Sequence, residues 1–205
     1  MRLLVFIAAI PLLSCGQNST EKKKETPKDD TTKIAVDTTK STLPVPDNPP
    51  AYISPDEEAV NELLKASYGN GWHVMSDNEA TWMKDAFEYF IVPKRKENPN
   101  YPYITKGDYN ADGKEDMAAV VIDSTKTAYQ IAIILSADKI MFWKEDVLDD
   151  AAISTVPKST IEGMDGEKTK KIKLKGDGIN VEYFEKASFV LYWDKGSFKR
   201  IQTGD

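Results

Sequence analysis

Cysteine and histidine are nearly missing: the 205-residue chain holds one of each. A lone cysteine, Cys15, excludes an internal disulfide and any CxxC zinc site. A lone histidine, His73, excludes a multi-histidine metal centre and leaves little room for histidine-based catalysis. No GxxxxGK[ST] phosphate loop and no GxSxG elbow occurs. Asp29-Asp30 and Asp149-Asp150 are adjacent pairs whose side chains need not converge, so no carboxylate dyad is proposed from them. Basic side chains are outnumbered, 27 to 33, for a net charge of −6, which speaks against a nucleic-acid face. No internal repeat is visible, which excludes a multi-bladed propeller. Long hydrophobic runs are also lacking. The longest covers residues 3–13, well short of the ~20 residues a spanning helix needs.

That short run fits a secretory signal instead: Met1-Arg2 gives a positive start, and the apolar stretch leads into Leu12-Leu13-Ser14-Cys15. The tetrad resembles the bacterial lipobox. The resemblance implies removal of residues 1–14, acylation of Cys15, and a lipid anchor in the bacterial cell envelope. Several acyl chains on one residue give stable membrane attachment without a polybasic patch. Gly16, where an inner-membrane retention signal carries Asp, favours the outer membrane.

Residues 16–50 are rich in Thr, Lys, Asp, Ser and Pro and contain no aromatic side chain. Such a segment cannot bury enough apolar surface to offset chain entropy, so residues 15–50 read as the lipidated cysteine and a disordered tether. As a coil, the 35 residues after Cys15 reach ~30–35 Å r.m.s..

A single globular domain is expected over residues 51–205. Ser54-Pro55-Asp56-Glu57 is a helix start, followed by Val60, Leu63, Leu64 and Tyr68 on one face, with Gly69 as the stop. Ser76-Asp77-Asn78-Glu79 repeats the capping pattern. Trp82, Met83, Ala86, Phe87 and Phe90 then predict the inward stripe of a second helix that Pro93 ends. Beyond Pro93 the period changes to that of strands, expected over 116–123, 127–135, 139–143, 171–174, 179–184, 187–193 and 197–202. Residues 147–153 read as a helical turn or a loop. The pattern predicts an α+β fold: two N-terminal helices packed on an antiparallel β-sheet or meander.

One motif carries chemistry. Residues 107–116 read Gly-Asp-Tyr-Asn-Ala-Asp-Gly-Lys-Glu-Asp. Asp108, Asn110, Asp112 and Asp116 offer oxygens at loop positions 1, 3, 5 and 9, and Lys114 at position 7 offers its backbone carbonyl. Gly113 permits the sharp turn. Ca²⁺ wants 6–8 oxygens in flexible geometry, and alternate residues of a tight loop aim them at one centre. Three carboxylates this close repel one another unless a cation joins them. Position 12 is Ala119 where an EF-hand has Glu, and the flanks are extended, so the loop is not an EF-hand.

The segment 107–121 resembles the FG-GAP/VCBS-type calcium loops of integrin-like β-propellers, Asp-x-Asp-x-Asp-Gly-x-x-Asp before an apolar strand. In a single copy covering about fifteen residues, the resemblance implies one Ca²⁺ at the matching positions. It carries over neither the propeller fold nor any partner. Together these features point to a lipid-anchored envelope protein with a structural calcium site and a non-enzymatic binding or structural role. An envelope hydrolase using Asp/Glu residues and a periplasmic inhibitor or immunity-type protein stay open, as does an envelope protein or glycan partner.

Overall fold

The computed structural model describes residues 52–137 and 139–204. The signal segment, Cys15 and the tether lie outside the described residues.

The chain begins with helix α1, Glu57–Tyr68, whose Val60 and Leu64 are fully buried. The Glu57 carboxylate accepts the Ser54 N–H at 3.2 Å, so the capping pattern works through the reach-back of Glu57. Gly69, at φ 66°, ends the helix with its N–H on the Lys65 carbonyl. Strand β1 (Trp72–Val74) follows.

The second helical stretch starts seven residues later than its capping pattern suggested, with its cap at Met83 and not at Ser76. Ser76 does bond to Glu79, with its N–H at 3.0 Å and Oγ at 2.9 Å from Oε2. Yet Glu79 is also gripped by His73 and Lys126, and the segment forms only a turn. Helix proper is α2 (Lys84–Ala86), a π-helical turn (Phe87–Ile91), and α3 (Val92–Glu97). In the wide turn the Val92 N–H reaches the Phe87 carbonyl, five residues back. The inserted residue rotates the inward face: Ala86, Ile91 and Arg95 are buried, while Phe90 is exposed. Met83 is exposed on extended backbone before the helix begins. Pro93 lies where the wide turn passes into α3, and the helix runs on through it to Glu97.

Strands make up the rest: β2 (Ile104–Gly107), β3 (Asp116–Asp123), β4 (Tyr129–Ser136), β5 (Lys139–Lys144), β6 (Ala151–Val156), β7 (Thr160–Asp165), β8 (Lys168–Lys173), β9 (Gly178–Tyr183), β10 (Ala187–Asp194) and β11 (Ser197–Gly204). They form two antiparallel sheets. In the first, β3, β4 and β5 make a meander. The outer edge of β3 is shared end to end by β2, paired with its first half, and β1, paired with its second. The second sheet has the order β6-β9-β10-β11-β7-β8.

The expectation of α+β, with two N-terminal helices packed on a single antiparallel sheet, is therefore corrected: the fold is mostly β, with eleven strands in two sheets and two short helical stretches among the described residues. Four of the eleven strands, β1, β2, β6 and β7, fall outside the expected ones, and β8 meets the expected 171–174 only over its last three residues. Residues 151–156, read in part as a loop or helical turn, form β6, whose first half is buried without alternation. In β7 and β8 nearly every side chain is exposed, and the stretch 168–171, Lys-Thr-Lys-Lys, carries no apolar signal. Lysines suit β8 because it is an edge strand, where charge discourages pairing with other chains.

One core joins both sheets. Ala118–Ile122 of β3 and 131–135 of β4 are buried without interruption, so both faces of these strands are covered. They share a contiguous cluster with Val60 and Leu64 of α1 and with Ile153, Ile179, Val181, Phe189 and Leu191 of the second sheet. The sheets meet closely where β2 approaches β6: the Ile153 N–H donates to the Pro102 carbonyl at 2.9 Å. That seam is where the acid loop sits.

Candidate metal centre

The loop of residues 108–115 closes the hairpin between β2 and β3, whose base is the Gly107–Asp116 pair. Two residues have left-handed backbone, Ala111 at φ 64° and Gly113 at φ 81°. Only at Gly113 does the sequence supply the residue that takes this conformation freely.

The acid side chains turn inward over the loop. Asp108 Oδ1 accepts the Asp112 N–H at 3.0 Å and Oδ2 the Gly113 N–H at 3.0 Å. Asn110 Oδ1 also accepts the Asp112 N–H, at 2.8 Å, while its amide donates to Asp112 Oδ2 at 3.1 Å. Asp112 Oδ1 accepts the Lys114 N–H at 2.9 Å. This last bond leads the causes that hold the exposed Asp112 carboxyl below its ordinary range. Asp116 Oδ2 accepts two backbone donors, Tyr109 at 2.8 Å and Asn110 at 3.2 Å.

The other oxygen of Asp116 is different. The residue is 1% exposed, and its Oδ1 is buried with no hydrogen-bond partner. Burial dominates its titration and pushes the carboxyl up to about 6, against the pull of the two N–H bonds and with added repulsion from Asp112 and Asp108. A buried carboxylate oxygen without a donor is costly, and the usual resolutions are a proton or a cation.

Asp108, Asn110, Asp112 and Asp116 are thus brought together in one short loop, with Lys114 exposed on it. No group of three or more His, Cys, Asp or Glu side chains among the described residues converges in ligating geometry. Asp108, Asn110 and Asp112 spend oxygens on loop N–H groups, but each carboxylate oxygen has two acceptor sites, so these bonds leave room for a cation. The donor set is hard oxygen throughout, which suits Ca²⁺ or Mg²⁺ and not a soft metal. Cys15 lies outside the described residues.

The loop is anchored by residues that the motif alone did not single out. Tyr109 is fully buried and its hydroxyl lies 2.9 Å from Thr155 Oγ1 on β6. Thr155 donates to the Lys106 carbonyl at 2.6 Å, so it accepts from both Tyr109 and Thr105. Burial holds the Tyr109 phenol un-ionised, well above its usual range. A second anchor is Asp177, beside Gly176 on the turn between β8 and β9.

Away from the loop, Asp77 accepts from Arg95 and from the Tyr103 hydroxyl, which in turn accepts from the Trp82 ring N–H. His73 Nε2 lies 2.9 Å from Glu79 Oε1. Burial acts to raise Glu79, but bonds from His73, Ser76 and Lys126 outweigh it and bring the carboxyl down to about 2. In this arrangement the carboxylate is the hub and the histidine an end, unlike a catalytic triad, where histidine stands between acid and nucleophile. Asp149 and Asp150 diverge, the first to Thr81 Oγ1 and the second to Lys186. No protein-family model, no curated protein and no solved structure matches the chain.

Proposed function

We propose that this is a lipid-anchored protein of the bacterial cell envelope, on the outer membrane, whose domain is a non-enzymatic binding or structural module stabilised by one Ca²⁺. The ion is held by Asp108, Asn110, Asp112, Asp116 and the Lys114 carbonyl. The observation that carries the calcium reading is the buried, unpartnered Oδ1 of Asp116 beneath a loop of inward-turned oxygens. The ion's task is structural. It neutralises Asp108, Asp112 and Asp116 together and pins the hairpin that feeds β3, the strand on which the first sheet is built. Loops of this extracellular type bind at ~10⁻⁴–10⁻³ M.

The anchor reading rests on the sole cysteine falling at the lipobox position. Intact-mass analysis of the membrane-extracted protein is expected to show an acylated chain starting at Cys15. An unacylated soluble chain, or one retaining residues 1–14, contradicts it. For the ion, thermal melts with millimolar Ca²⁺ against excess chelator are expected to differ by several degrees, and coincident melts contradict the site.

A further inference from the structure

Asp177 lies on the turn between β8 and β9, 69 residues from Asp108, yet its carboxylate ties three turns together. Oδ2 accepts the Asp108 N–H at 3.0 Å. Oδ1 accepts the Lys158 N–H at 2.9 Å, from the turn between β6 and β7. In return the Asp177 N–H donates to the Asp108 carbonyl at 2.8 Å. Both backbone polar groups of the first residue of the acid loop are therefore held by one residue of the second sheet's connections. The approach is tight enough to need missing side chains. A Cβ on Gly176 would stand 2.2 Å from the Asp108 carbonyl oxygen and 3.0 Å from the Ala111 nitrogen. One on Gly107 would stand 2.9 Å from Asp177 Oδ2. Neither glycine has a left-handed backbone, so the requirement is for space and not for conformation.

We propose that Asp177 is a positioning residue for the calcium loop, and that through it ion binding is coupled to the second sheet. The inference rests on the calcium reading above. Asp177 is placed as a brace and not as a ligand because its two oxygens join two different turns, whereas the oxygens of Asp108, Asn110 and Asp112 bond only within the loop. Its effect is to fix the Asp108 backbone before the ion arrives, so that less ordering is left for the binding step. Partners that orient metal ligands change affinity by ~10–100-fold when removed. Coupling is reciprocal, so an ion at the loop also steadies the Lys158 turn, which it does not touch.

The test uses the mature full chain and Tb³⁺ as the probe, with affinity read from its luminescence and bound waters from its lifetimes in H₂O and D₂O. Asp177→Ala is expected to weaken Tb³⁺ binding about tenfold with no change in the number of waters on the ion. Gly176→Ala, which disturbs the approach without altering charge, is expected to weaken it as well. The Lys158 amide resonance shifts on Ca²⁺ addition in the wild type and stays still in Asp177→Ala. Should Asp177→Ala fail to fold, Asp177→Asn keeps the volume and one acceptor, and an intermediate loss is expected. Equal affinity in wild type and variants overturns the inference alone. Extra waters on the ion in Asp177→Ala also overturn it, because they make Asp177 a ligand. A wild-type chain that takes up no Tb³⁺ overturns the calcium reading itself, and this inference with it.

Discussion

Strand β3 carries an aspartate at each end, and the two could hardly be treated more differently. Asp123, at the exit, is half-buried and saturated with donors. Its Oδ1 accepts the N–H groups of Thr127 and Ala128, each at 2.7 Å, and its Oδ2 takes the Thr125 hydroxyl. The Thr125 hydroxyl leads the causes that bring its carboxyl down to about 2. Asp116, where the strand begins, is buried, has donors on one oxygen only, and is pushed up to about 6. Both residues sit beside hairpin turns of polar residues, so residue type alone does not separate them. The separation comes from burial and donor supply. The Asp123 turn satisfies its own charge, whereas Asp116 keeps one oxygen without a donor beside the carboxylates of Asp108 and Asp112, the shortfall that the calcium proposal fills.

The largest expected effect follows from breaking the needy end. With Ca²⁺ at ten times its dissociation constant, mass action adds ~1.4 kcal/mol, which for a domain of this size is a rise of roughly 3–6 °C in Tm. Asp112→Ala and Asp116→Ala are each expected to abolish that rise, measured as the difference between melts in Ca²⁺ and in chelator. Asp123→Ala is expected to lower Tm slightly in both conditions and leave the calcium rise whole. A calcium response that survives Asp116→Ala, or vanishes with Asp123→Ala, breaks the contrast.

Next in size is the choice of ion. Mg²⁺ demands compact octahedral geometry at short distances and gives up water reluctantly. At equal millimolar concentration it is expected to give less than half the Tm rise of Ca²⁺, since the loop's donors come from alternate residues of a flexible turn.

A smaller effect sharpens the satisfied end. Asp123 and Glu79 both have folded values near 2, below their ordinary values near 4, so the unfolded chain binds more protons over that interval. Their contribution is present above pH ~4.5 and is lost as pH falls toward 2. Urea unfolding at pH 5 and pH 2.5 is expected to show a smaller loss of stability on acidification for Asp123→Asn and Glu79→Gln than for the wild type. Equal losses in all three would place the acid sensitivity elsewhere.

How much of this was legible before the fold was known depends on the range of the interactions. The stretch Asp116–Asp123 announces its strand with an unbroken apolar run, and the ligand candidates around it lie within nine residues, so a local pattern suffices. Residues 160–165 give no such signal, because nearly all of β7 is exposed, and only the end of β8, at 171–173, reads as strand, because the Lys-rich start of an exposed edge strand reads as solvated charge. The stripe Trp82, Met83, Ala86, Phe87, Phe90 assumed a period of 3.6. The helix starts only at Lys84, which leaves Met83 exposed on extended backbone, and one wide π-helical turn then breaks the period, with Phe90 outward and Ile91 and Arg95 inward. Arg95 then pairs with Asp77 through two bonds of 2.9 and 2.8 Å, a contact no helical spacing encodes. Asp177 was out of reach for the same reason. Its link to Asp108 spans 69 residues and exists only because two sheets bring two turns together.

The measurement that bears most directly on the loop is a calorimetric titration of Ca²⁺ into the chelator-stripped mature protein, run beside Asp112→Ala. The account predicts one site per chain with a dissociation constant of ~10⁻⁴–10⁻³ M in the wild type and no binding heat in the variant. A wild-type chain that gives no heat at millimolar Ca²⁺ contradicts it, and would leave Asp116 buried with an unanswered oxygen in a loop that is only a turn.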